Sequence, residues 1–223
     1  MSVRDPRRYW RDIKGRCLFL LISLLALLFL APIVQQGPHA GIAMLLLNSA
    51  VLLAGVYAVS DGHAKVITAA AVAVPQVITA AIAYGLPGYH PLGSLATQVS
   101  TFLLIVFYYY TLALVLSFVV RGQGVTRDRI YGGLSVYLLL GLAWAAVYAH
   151  LMHGNPESFA VSHGRWDAIY FSFVTLTTLG YGDITPVTTE ARSLATLEAI
   201  SGVMCVAVLI ARLVTMYKPG DDD

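Results

Sequence analysis

Thr175-Leu176-Thr177-Thr178-Leu179-Gly180-Tyr181-Gly182-Asp183 lies near the C-terminal end of the chain, between two long apolar segments. Its use follows from backbone chemistry. A monovalent cation stripped of water needs a cage of neutral oxygens, and a chain can build one from its own carbonyls if successive carbonyls point to the same side. In an ordinary strand they alternate. Gly180 and Gly182 relieve this, because glycine takes positive φ about as readily as negative φ and lets every second peptide rotate into line. On this reading the carbonyls of Thr178, Leu179, Gly180 and Tyr181 form stacked rings, the Thr178 hydroxyl adds an innermost one, and the side chains point away. One chain provides only part of such a cage, so a closed, symmetric homotetramer is expected.

The same residues resemble the selectivity filter of the potassium channel superfamily, whose motif is T-x-x-T-x-G-Y-G-D. Thr175, Thr178, Gly180, Tyr181, Gly182 and Asp183 match it. Leu179 departs from it, since the family usually has Val or Ile there. The ligand at that position is a backbone oxygen, so the change bears on packing behind the filter and on how strictly sodium is rejected. The resemblance implies K+ at Thr178, Leu179, Gly180 and Tyr181, with Gly182 completing the filter. It implies no other cofactor and no catalytic residue, and hence a transport protein and not an enzyme. It also gives Asp183 the role of anchoring the filter and drawing cations. Thr175, Thr177, Tyr170 and Phe171 are expected to support the filter from behind, the aromatic residues as a cuff.

Composition sets this stretch in a membrane. Of 223 residues, 58% are hydrophobic and 12% charged, where a soluble domain carries about 25% charged. A spanning helix needs about 20 apolar residues. Six segments qualify: 17–34, 40–60, 66–84, 95–120, 130–151 and 193–217. The expected fold is therefore an all-α membrane protein of six transmembrane helices, with a re-entrant pore helix over 166–177 and a filter over 178–182 between the fifth and sixth. The corresponding organisation is a basic arm over 1–16, a four-helix membrane module over 17–120, a linker over 121–129, a two-helix pore domain over 130–217 and a tail over 218–223. Irregular backbone at membrane depth must be shielded from lipid or line water, so the surrounding helices are expected to encircle it.

Charge placement orients the chain. Arg4, Arg7, Arg8, Arg11, Lys14 and Arg16 precede the first span, Lys65 follows the second, and Arg121, Arg127 and Arg129 join the fourth to the fifth. Basic residues collect on the cytoplasmic side. Both termini are thus expected in the cytoplasm of a multi-pass cell-membrane protein, with membrane lipid as a partner. No phosphate-binding glycine loop or dinucleotide fingerprint is present, and no nucleic-acid partner is expected. Cys17 and Cys205 both fall in membrane segments and form no disulfide framework.

Three further features bear on mechanism. Residues 95–120 contain no Arg or Lys, although a conventional voltage sensor carries several on its fourth span. Weak voltage dependence is expected. Gly202 falls where channels of the resembling family place a hinge, with Val206, Leu209 and Leu213 following at 3–4 residue spacing as gate candidates; tight helix packing explains Gly202 equally well. Glu198, the only acid inside an expected span, must face protein or water. Two arrangements suit it: protonated and hydrogen-bonded to the pore helix near Ser172 or Thr175, or ionised near permeating cations. The functional alternatives are a weakly selective monovalent cation channel, a potassium uptake transporter subunit, and a nonconducting accessory protein.

Overall fold

The protein is described by a computed structural model covering residues 15–34, 40–58, 63–85, 91–121, 124, 126–160 and 165–216. Of the arm expected over 1–16 only Gly15 and Arg16 belong to this set, and the tail over 218–223 lies outside it. The helices are α1 (Arg16–Val34), α2 (Ala40–Ala58), α3 (His63–Gly85), α4 (Pro91–Arg121), α5 (Arg127–Gly154), α6 (Arg165–Leu176) and α7 (Thr189–Met216), with a 3-10 turn at Pro156–Ser158. All except α6 are long and apolar enough to cross a membrane. The chain is an all-α, multi-pass membrane protein.

A helix that is apolar on every face buries one stripe against protein and offers the rest to lipid. In α1, Leu20, Leu24, Leu27 and Ala31 are buried at 3–4 residue spacing while Phe19, Ile22, Phe29 and Ile33 are exposed. Its stripe meets α2 and α5. One hydrophobic core runs from Leu24 and Leu27 through Val51 and Leu104 to Val136 and Leu139. The N-terminal helices therefore share their core with α5. Their polar residues pair within the bundle: Tyr108 donates to Asn48 Oδ1 at 3.5 Å, and the Tyr110 and Thr68 hydroxyls meet at 2.5 Å.

Helix ends are set by local chemistry. The Thr126 hydroxyl, on extended backbone, accepts from Arg129 N at 3.3 Å and starts α5. Asp128 in the first turn of α5 also serves α1: its Oδ1 accepts from the amides of Gly15 at 3.2 Å and Cys17 at 3.3 Å. Arg129 is 1% exposed and donates to the Gly124 carbonyl. At the far end Asn155 N donates to Leu151 O at 2.8 Å, and its side chain accepts from Glu157 N to begin the 3-10 turn. The loop then folds back on the approach to α7, with Ala160 N bonded to Thr185 O at 3.0 Å and Val187 N to Ser158 O at 2.8 Å. This leaves α6 and the stretch after it between α5 and α7.

Candidate functional site

The short helix α6 seats itself through two glycines that do not belong to it. A Cβ on Gly141 of α5 would stand 2.7 Å from the Phe173 ring, and one on Gly202 of α7 would stand 2.6 Å from the Leu176 carbonyl oxygen. Neither position has room for a side chain. Gly202, open on sequence grounds to a hinge or a packing role, is thus a close-approach glycine: its missing side chain lets the end of α6 press on α7. Phe171 completes the seat from α6 itself. Its ring lies 4.9 Å from that of Tyr148 and 5.0 Å from that of Phe159, edge to face in both cases.

Three helices meet again at Glu198. It is 0% exposed, and its Oε2 accepts from the Tyr148 hydroxyl at 2.7 Å. Its Oε1 accepts from the Ser172 hydroxyl at 2.5 Å, and the same hydroxyl lies 2.7 Å from the Gly141 carbonyl. Ser172 of α6, one of the neighbours expected for Glu198, is thus in contact with it. Trp144 extends the cluster by donating to Ser201 Oγ at 3.0 Å.

The backbone changes character where α6 ends. The Val174 carbonyl accepts from both Leu179 N at 3.0 Å and Gly180 N at 3.2 Å, and Thr178 turns through φ 58°. Gly180 follows at φ 57° and Gly182 at φ 79°, while Leu179 and Tyr181 are not among the positive-φ residues. The sign of φ therefore alternates residue by residue from Thr178 to Gly182. Positive φ costs a β-branched residue such as threonine far more than it costs glycine. A Cβ at Gly180 or Gly182 would meet nothing within 4 Å, so conformation and not space is what asks for glycine there. The Leu179 and Tyr181 side chains are 55% and 67% exposed.

Behind this stretch the Tyr170 hydroxyl donates to Asp183 Oδ2 at 2.7 Å. That bond holds the Asp183 carboxyl below its ordinary range and, with Asp183 as partner, pushes the Tyr170 hydroxyl up to about 12. Thr177 Oγ1 donates to Phe173 O at 2.6 Å within the last turn of α6, and Thr175 is half-buried one turn before Thr178–Leu179. Arg192 donates to the Pro186 carbonyl at 3.1 Å. Val206 is 40% exposed, whereas Leu209 is 9% exposed and would lie 3.8 Å from a Cβ on Gly133 of α5. The Leu213 side chain lies outside the described residues. Sequence reading passed over Tyr148 and Phe159, and only the aromatic content of the fifth helix hinted at the first.

Comparison with known proteins bears on the same region. Residues 136–218 match an ion-channel family. Two-pore potassium channel 1 of Arabidopsis thaliana is 34% identical over 84 residues, 38% of this chain and 22% of that protein. Two pore potassium channel b of Oryza sativa subsp. japonica is 38% identical over 93 residues, 41% of this chain and 25% of the relative. Inward rectifier potassium channel Kirbac3.1 of Paramagnetospirillum magnetotacticum is 37% identical over 70 residues, 31% of this chain and 22% of the relative. The chain thus spans a quarter or less of the length of these relatives. No solved structure matches it. The C-terminal region is thus similar to ion channels, potassium channels among them, a likeness to transport proteins and not to enzymes.

Proposed function

We propose that four copies of this chain assemble around an axis into a potassium-selective channel of the cell membrane. K+ passes down its gradient through rings of carbonyls from Thr178, Leu179, Gly180 and Tyr181, with Gly182 closing the outer end. The alternation of φ from Thr178 to Gly182 carries the reading. It is the backbone pattern that turns successive carbonyls to one side, and it is kept at the expense of a threonine in the left-handed region. The α6 helix ends at this stretch, and a helix C-terminus carries roughly half a negative charge; four such ends favour a cation on the axis.

A single chain leaves the stretch uncovered. Leu179, Tyr181 and the α7 residues Leu197, Ile200, Val203 and Met204 are all exposed, which supports further copies as their cover. In the tetramer Val206 belongs to the exposed face of α7 that continues through Val203 and Ile210, and this face borders the inner mouth. Both termini are cytoplasmic in this arrangement, by the distribution of Arg and Lys. Purified protein in liposomes, with potassium and sodium flux measured on one preparation and its cross-linked mass on another, tests the proposal. A mass of four chains and a clear preference for potassium are expected. Equal fluxes point to the weakly selective channel; no flux from a tetramer points to an accessory role.

A further inference from the structure

Ser172 stands two residues before Val174 in α6, and the stretch proposed as the filter hangs from Val174. In a continuing α-helix the Val174 carbonyl would accept from Thr178 N. Thr178 N donates instead to Thr175 O at 3.0 Å, and the Val174 carbonyl takes the amides of Leu179 and Gly180 at 3.0 and 3.2 Å. A turn or slip of α6 on its neighbours therefore passes straight to these two amides.

Most of what seats α6 is apolar. Phe171 lies against Tyr148 and Phe159, and Phe173 faces Gly141. Such contacts reward burial without prescribing a direction. Ser172 is the fully buried polar side chain among the described residues of α6. Its hydroxyl lies 2.5 Å from Glu198 Oε1 and 2.7 Å from the Gly141 carbonyl, and hydrogen bonds weaken steeply when they are misaligned. Glu198 is itself fixed from α5 by the Tyr148 hydroxyl at 2.7 Å. The two helices also meet in register: Ser172 stands at Glu198 and, one turn further along each, Leu176 stands at Gly202. Slipped back by one turn, α6 would set Leu176 against Glu198 Oε1 in place of a hydroxyl, a costly surrounding for a buried polar group.

We propose that Glu198 and Ser172 are positioning residues of the filter: their contact fixes the register of α6 on α7, hence the place of the Val174 carbonyl, and so sets how strictly potassium is preferred over sodium. Discrimination between two cations of equal charge rests on where the filter carbonyls stand and how freely they move. The inference rests on the conduction reading above.

Two readouts on one set of variants test it: potassium and sodium flux in liposomes from tetramers selected by mass, and hydrogen–deuterium exchange at the Leu179 and Gly180 amides of the full chain in lipid nanodiscs. In Ser172→Ala the potassium-over-sodium flux ratio should fall at least about tenfold, the scale of one buried hydrogen bond, and exchange at the two amides should quicken by a similar factor. Glu198→Ala should do the same. Glu198→Gln should keep both near their original values, because its amide retains an oxygen for Tyr148 and a donor for Ser172. Leu24→Ala, which opens a cavity in the core beside α1, weakens the fold and should leave both readouts unchanged in the tetramers that form. Unchanged ratio and exchange in Ser172→Ala and Glu198→Ala overturn the proposal, as does faster exchange with the ratio intact, or an equal loss in Leu24→Ala. An unmodified protein without potassium preference overturns the conduction reading instead, and the exchange readout then decides whether Glu198 seats the stretch.

Discussion

The fifth and sixth membrane helices, α5 and α7, are nearly interchangeable on paper. Each is 28 residues long and apolar enough to cross a membrane. In the folded chain they part company: most of the apolar length of α5 is buried and little of that of α7. The α5 helix packs on α1, α4 and α6. Among its described residues the α7 helix is buried only along Ala191, Glu198, Gly202 and Leu209, a narrow seam at steps of seven and four residues like that of a coiled coil. One helix is satisfied by its own chain. The other is docked by an edge, and its remaining faces wait for lipid or further copies.

If that contrast is right, damage near the α7 side should spare the fold of each chain and abolish transport, whereas damage in α5 should strike the fold. The largest effect is expected from Gly180→Ala. A left-handed backbone costs an L-residue roughly 1–2 kcal/mol, repeated in each copy, while no neighbour resists the added methyl. Potassium flux in liposomes should fall at least about a hundredfold while the thermal midpoint of the protein drops by no more than about 2–8 °C. An intact potassium preference would break the assignment.

Next come paired truncations of the two helices. Leu139 of α5 is 0% exposed, and Leu139→Ala should cost about 2–5 kcal/mol in unfolding. Ile200 of α7 is 51% exposed; Ile200→Ala should change the stability of the separated chain by less than about 0.5 kcal/mol yet lower the cross-linked fraction of tetramer. Denaturation curves and cross-linked mass read the two effects separately. Equal destabilisation by both would erase the contrast.

Glu198 sharpens it, because it is the polar point where the α7 seam meets α5 and α6. Glu198→Gln keeps a donor for Ser172 and an acceptor for Tyr148, so stability should shift by less than about 1 kcal/mol, whereas Glu198→Ala leaves buried partners unmatched at about 1–3 kcal/mol each. A large loss in Glu198→Gln, measured by thermal unfolding, would mean that the carboxylate charge matters. The smallest effect belongs to Tyr170 and Asp183. The depressed Asp183 carboxyl contributes above the usual carboxylate range near about 4 and loses its share as pH falls through its lowered value. The Tyr170 hydroxyl contributes below its ordinary value and loses its share as pH rises toward about 12. Between these limits flux should be flat, and Tyr170→Phe should alter it by less than about twofold, since exposed pairs are weak. A steep pH dependence near neutrality that vanishes in Tyr170→Phe would count against this account.

Hydropathy alone located the six long helices, and where bounds shifted the cause is local. The α4 helix begins at Pro91, four residues before the apolar run, because proline fits the first turn of a helix. The α7 helix begins at Thr189, ahead of its apolar run, because Thr188 accepts from Ala191 N. Positive φ at Gly180 and Gly182 was legible as paired glycines. Positive φ at Thr178 was not, since a β-branched residue favours extended backbone, and the double acceptance at Val174 overrides that preference. Gly202 could be read two ways, and the close approach of the Leu176 carbonyl to it left no mark in the sequence. Phe159 gave no sign, because a lone aromatic in a polar loop has no periodicity to betray its destination.

The contact between Asp128 and the first amides of α1 has a consequence for biosynthesis. The two partners are 111 to 113 residues apart in the chain, and ribosomes add about 5–20 residues per second. At that pace the first helix is made on the order of 6 to 20 seconds before the carboxylate that closes its end. The oldest helix is thus among the last to be finished, and a nascent chain halted after four spans would carry an open first turn.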